Sequence, residues 1–226
     1  LEDLGVLPDR RWSLEQYALA ARHLGRFNGA YASADSQPSF PWLGRQRHRQ
    51  WLATAEIQSL PWDHPLVNAR YSGGAANAFR RMLADRELFL ARLDQLGLML
   101  SHGDTYPTNL MVRRRSDGGQ ETVALDWALL GLEPPGTDLG QLTFGAHNNL
   151  PAARPDDVTD SLFESYLDGL RDSGSSIDPK LARFGFVASA AFRVGLFQLI
   201  MLSFQLAGGA ATATGDAAQQ PDPFEV

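Results

Sequence analysis

The stretch Ser101-His102-Gly103-Asp104-Thr105-Tyr106-Pro107-Thr108-Asn109-Leu110-Met111-Val112, followed by Thr122 to Asp126-Trp127-Ala128, decides how this chain reads. Leu98-Met99-Leu100 is a short apolar run that stops at Ser101, and Leu110-Met111-Val112 is a second. Ser116-Asp117-Gly118-Gly119 is a turn signal, and Thr122 to Asp126 makes a third short strand. The result is a small β-hairpin over 110–125 with polar loops at its ends. Asp104 falls in the loop after the first strand, Asn109 at the start of the next, and Asp126 at the hairpin's far end. Phosphoryl transfer to a hydroxyl needs a carboxylate to take the proton, oxygen ligands for Mg²⁺, and donors that steady the transferring charge. His102-Gly103-Asp104-x-x-x-x-Asn109 with a later Asp126 supplies the first two. A plain polar turn, with Asp104 and Asn109 as ordinary turn formers, is the simpler alternative.

Working outward, the apolar spacing changes from strand-like to helical. Ser13 opens a helix with a capping box to Gln16, and Leu14, Tyr17, Ala18, Ala21, Leu24, Asn28 and Tyr31 continue it. Gly25 and Gly29 let a neighbour pack close. Residues 34–74 are irregular apart from an expected helix over Arg45–Glu56, and Trp42, Trp51 and Trp62 are expected to pack this region down. A second strong helix is expected over Ala75–Leu96. After the hairpin come helices over Thr137–Asn148, Asp157–Asp172 and Pro179–Leu206. The fold class is therefore mainly α with a small β-hairpin (α+β). Residues 208–226 are expected to form a loosely ordered tail.

Composition narrows the function. The 226 residues are 44% hydrophobic, enough to bury a substantial core, and carry a formal net charge of −6. That charge argues against a nucleic-acid partner and fits weakly with a cationic substrate. There is no cysteine, so a cytoplasmic setting is expected. The most apolar stretch, Phe186 to Leu206, contains Arg193, Gln198 and Gln205, which reads as a core helix rather than a membrane span. Lys180 is the single lysine, and it reads as a solvated surface residue.

The motif resembles the aminoglycoside phosphotransferase and choline-kinase-like families, relatives of the protein kinases, in which H-G-D-x-x-x-x-N and a following I/L-D-W or D-F recur. The resemblance runs over roughly 1–206. It implies that residues 11–207 are the C-terminal lobe of a protein-kinase-like phosphotransferase, using ATP or GTP and Mg²⁺ on a small-molecule hydroxyl. The acceptor would be an aminoglycoside, a choline-like amine, a sugar, an amino alcohol or a macrolide. Asp104 matches the catalytic base, and Asn109 and Asp126 match the metal ligands. His102 matches the histidine that braces the metal loop, and Asp138 an aspartate that holds the catalytic loop. Residues 1–10 resemble the hinge, with Asp3 and Leu4 at the adenine edge. Gly103 stands where protein kinases carry arginine, and only residues 127–137 separate Asp126 from Asp138, so a protein acceptor and control by loop phosphorylation are disfavoured. Glu133, Asp156, Asp157 and Glu164 could line an acceptor pocket or form a solvated face.

No Gly-rich loop precedes the motif and no lysine precedes position 180. The N-terminal lobe of such an enzyme is thus expected to be absent from this chain, excised or naturally missing, and the chain alone to be inactive. A non-catalytic kinase-like lobe serving as a binding module remains the alternative, with a hydrolase as the third.

Overall fold

A computed structural model describes residues 12–54, 62–71 and 74–213. The hinge-like residues Asp3 and Leu4, and residues 214–226 of the expected tail, lie outside these. Helix α1 (Leu14–Ala30) starts as its sequence dictates. The Ser13 hydroxyl accepts from the Gln16 N–H, and the Gln16 side chain accepts from the Ser13 N–H. It lies along α7 (Pro155–Asp172) with the backbones nearly touching. A Cβ at Gly25 would overlap the Tyr166 carbonyl, so glycine is what permits this approach.

The strands are short. The hairpin pairs β3 (Leu110–Arg114) with β4 (Gln120–Ala124), Leu110 opposite Ala124. A second sheet places β5 (Gly131–Glu133) between β1 (Gly44–Arg45), parallel, and β2 (Met99–Ser101), antiparallel. Helices α6 (Thr137–Asn149) and α8 (Pro179–Ala190) pack together beside α7. One core cluster joins α1, the hairpin and α6 to α8 around Tyr17, Leu139, Leu162 and Tyr166. A second joins α2 (Arg47–Thr54), α3 (Pro65–Arg70), α4 (Ala75–Ala84) and α5 (Arg86–Leu93) to the last helical run around Leu83, Leu93, Phe192 and Leu199. The fold class is the expected one: mainly helical, with small sheets.

Several boundaries differ from the sequence reading. The helix expected over 75–96 is two, broken at Asp85, whose φ of −90° and ψ of 13° turn the chain before α5. Arg45, expected to begin a helix, pairs with β5 instead, as part of β1. The long last helix contains a π segment, Ala191–Gly195, and runs on as α9 (Leu196–Ala213), into part of the expected tail. Pro179–Leu206 is the one helix among the described residues long and apolar enough to cross a membrane. Phe186, Phe192, Leu196 and Leu199 on it are buried in the two cores, while Val187, Phe197 and Phe204 are exposed. Of the three tryptophans, Trp62 packs edge-on to Phe79. Trp42 is 66% exposed and stacks on Phe40, itself 54% exposed, so it does not pin the loop down.

Candidate active site

The loop leaving β2 is shaped from beneath by the first turn of α6. Asp138, only 1% exposed, accepts at Oδ2 from the His102 N–H at 2.9 Å and at Oδ1 from the Gly103 N–H at 2.9 Å. Asn28 on α1 donates to the same Oδ2 at 3.0 Å and to the Leu100 carbonyl at 2.8 Å. The Tyr166 hydroxyl donates to Asn28 Oδ1 at 2.9 Å and accepts from the Gly136 N–H at 3.0 Å. Burial pushes the Tyr166 hydroxyl pKa well above its usual range. A buried carboxylate is costly unless it is hydrogen-bonded, and this network gives it three donors. Gly103 has a φ of 81°, and a Cβ there would overlap the Leu129 carbonyl. Glycine is therefore required by the backbone at this position, whatever its other consequences.

Asp104 stands at the tip of this loop with 27% of its side chain exposed. Asn109 Nδ2 donates to Asp104 Oδ2 at 2.9 Å and to the Asp104 carbonyl at 3.1 Å. Gln141, one turn along α6 from Asp138, donates through Nε2 to Asp104 Oδ1 at 3.1 Å and accepts from the Thr105 N–H at 2.9 Å. The Thr105 hydroxyl donates to the Asp138 carbonyl. Arg193 brings its guanidinium within 3.9 Å of Asp104 Oδ1. That guanidinium lies over the Trp51 ring at 5.3 Å, with 14% of the side chain exposed. Burial pulls the Arg193 pKa down, and the Asp104 charge opposes that shift.

The hairpin brings Asp126 to the same end. The Leu125 N–H donates to the Asn109 carbonyl at 2.8 Å, so Asn109 lies opposite Leu125 and beside Asp126. His102 ties the loop to the same place. Its Nε2 faces the Leu125 carbonyl at 2.8 Å and must donate, while Nδ1 accepts from the Asp104 N–H at 3.2 Å. Those two bonds define one tautomer, and the ring packs on Trp127 at 4.5 Å. Asp126 adopts a left-handed conformation, φ 56° and ψ 75°, tolerated by aspartate but uncommon. Its Oδ1 accepts from the Ala128 N–H at 3.3 Å, and the residue is exposed. Asn109 spends its NH₂ on Asp104, which turns its amide oxygen away from that bond. One amide oxygen and one exposed carboxylate, both hard donors, suit Mg²⁺ that keeps several waters. No three His, Asp or Glu side chains converge on one point among the described residues.

The four acidic residues offered as pocket lining do not form one. Glu133 is 2% exposed and accepts from the Arg47 N–H at 2.9 Å, with His48 Nδ1 at 3.3 Å. It is a strut between β5 and α2. Asp156, Asp157 and Glu164 are exposed along α7. Asn28, Gln141 and Arg193 were not legible as site residues: each lies on a helix outside the motif, and no motif spacing links it to Asp104 or Asp138.

No curated protein matches this chain significantly. Among solved structures, it is similar to the aminoglycoside phosphotransferase APH(3'')-Id from Streptomyces rimosus, determined in complex with ADP and streptomycin. The two share 17% identity and a TM-score of 0.49, over 84% of this chain and 68% of that one. The family model described as "Phosphotransferase enzyme family" matches residues 5–175, a span that includes the hairpin, the loop and Asp138. With most of its length matched, the chain belongs to the phosphotransferase enzyme family.

Proposed function

We propose that this chain is the catalytic lobe of an enzyme that moves the γ-phosphoryl group of ATP or GTP onto a small-molecule hydroxyl. The observation that carries the proposal is the cluster itself: a half-buried carboxylate, Asp104, oriented by Asn109 and Gln141, beside the exposed Asp126. Asp104 accepts the hydroxyl proton as the acceptor oxygen bonds to the γ-phosphorus and the bond to the β-phosphate oxygen breaks. Asn109 and Asp126 would hold Mg²⁺, which would offset charge on the phosphates. His102 and Asp138 fix the loop that carries the base. Both are positioning residues and touch no reacting atom. The partner lobe that covers the nucleotide, with Asp3 and Leu4 near the adenine, completes the enzyme, and its setting is the cytoplasm.

The test uses the full-length protein with Mg·ATP and a panel of alcohols, beside Asp104→Asn. Loss of a general base lowers kcat by about 10²–10⁴-fold, and nucleotide affinity should hold. Equal turnover by the variant removes Asp104 as base. Absence of Mg·nucleotide binding in the full-length protein leaves the non-catalytic lobe as the better reading.

A further inference from the structure

The base at Asp104 is touched by two helices, and both lead away from it into the same cavity. On α6, Gln141 bonds Asp104, and Phe144 stands about one turn further along. The Phe144 ring meets Tyr106, two residues from the base, edge-on at 6.2 Å. On the last helical run, Arg193 approaches Asp104, Phe197 follows one turn later, and Met201 one turn beyond that. Phe144, Phe197 and Met201 line a cavity of about 650 Å³, closed on its other side by Leu66 and Tyr71 near α3. That volume is in the range of drug-sized ligand sites. Its polar side chains are those of Gln198 and Gln205, while Tyr71 contributes to the wall. Among the described residues, no carboxylate lines it.

We infer that the acceptor is an uncharged, largely apolar alcohol that lays its body in this cavity and presents its hydroxyl to Asp104. The inference rests on Asp104 being the base. Charge argues for it. An ammonium group entering the cavity would lose its hydration and, among the described residues, meet no counter-charge on its lining. Near the base it would also meet the Arg193 guanidinium, which already pairs with Asp104. The acidic residues expected to line an acceptor pocket are elsewhere: Glu133 is buried under other donors, and Asp156, Asp157 and Glu164 face solvent from α7. Apolar contact argues for it too. Phe197 is 46% exposed and Leu66 53% exposed, two large side chains left open on the rim of one cavity.

The experiment measures Mg·ATP-dependent phosphorylation and calorimetric binding by the full-length protein with six probes. Geraniol, dodecanol and dihydrotestosterone are the apolar alcohols; streptomycin, choline and glucose are the comparators. The expected result is a kcat/KM for at least one apolar alcohol that exceeds every comparator about 100-fold or more. Phe197→Ala, which trims an exposed side chain, should raise KM for that alcohol about tenfold, more than it lowers kcat, in keeping with loss of one buried aromatic contact. The near-isosteric Gln198→Glu should weaken binding of the apolar alcohol and strengthen that of choline. The inference is overturned if streptomycin or choline is the preferred acceptor, while the phosphotransferase reading survives that outcome. It is also overturned if no apolar alcohol binds, or if binding appears only once residues 214–226 are removed, because that segment would then be the natural occupant. A protein that binds no Mg·ATP sinks the phosphotransferase reading, and calorimetry with the alcohols alone still decides the cavity.

Discussion

Asp138 shows how one buried carboxylate can set the shape of a loop it does not belong to. It accepts from two consecutive backbone N–H groups, those of His102 and Gly103, and from Asn28. In Asp138→Asn one oxygen becomes an NH₂ that must face an N–H donor, so at least one bond becomes a repulsive contact. Hydrogen bonds to a charged acceptor contribute about 1.5–3 kcal/mol each, and the variant should lose about that much in urea unfolding. Its kcat should fall while the nucleotide Kd stays near the parent value, because Asp138 holds the loop and not the ligand. An unchanged kcat alongside the stability loss would leave Asp138 a purely architectural residue. At this scale the sequence was partly legible. His102, Asp104, Asn109, Asp126 and Asp138 lie within one short span, where spacing carries information. Asn28, Gln141 and Arg193 reach the same point from three different helices, and only tertiary packing brings them there. Glu133 misled for the same reason: its side chain turns inward to the Arg47 N–H and His48, which no local pattern announces.

Between elements, the contact of α1 with the hairpin is built on a histidine. His23 Nδ1 lies 2.8 Å from the Thr122 hydroxyl and accepts from the Thr122 N–H at 3.2 Å, so the ring holds β4 against α1 as a neutral acceptor. Burial lowers its pKa, with Arg26 and Arg22 adding to the shift and Glu121 and Asp172 opposing it. A folded pKa below the unfolded value of about 6.5 means the unfolded chain binds the proton more readily. Stability from this group is therefore present above pH 6.5 and is lost as the pH falls from there through the folded pKa. Urea midpoints for the parent and His23→Gln, measured between pH 7.5 and 5, should converge as the pH drops, the parent losing more. Parallel curves would mean that His23 does not titrate differently on folding. The long helices were legible here because apolar spacing and caps repeat over several turns, as in α1 with Ser13 and Gln16. Strands β1 and β5, of two and three residues, are too short for any period to show. The break at Asp85 was hidden because apolar residues continue at helical spacing on both sides of it.

At the scale of the whole molecule, the site has a closed side and an open one. The loop is backed by α1, α6 and α7, and the cavity lined by Phe144 and Phe197 lies along α6 and α9 from it. The other side, where phosphates would approach Asn109 and Asp126, is open among the described residues: Asp126 and Ala128 are exposed, and Trp127 is 44% exposed while it meets Phe27 edge to face. Arg193 is the cation held against Asp104, and it is already paired. Lys180, the only lysine, is exposed at the start of α8, where its N–H is bonded to Asp178. A triphosphate laid on this face therefore needs cationic or N–H donors that the motif does not contain. Isothermal titration should show that these 226 residues bind Mg·ATP about 100-fold more weakly than a longer protein carrying a Gly-rich hairpin and a strand lysine ahead of them, the equivalent of one or two charge-assisted bonds. Asp126→Ala should abolish the remaining Mg²⁺ dependence of binding in both. Equal affinity in the two proteins would mean that the lobe binds nucleotide unaided, and donors would then have to come from residues outside the motif. A deficit restored by the longer protein would place the second half of the site on the added segment.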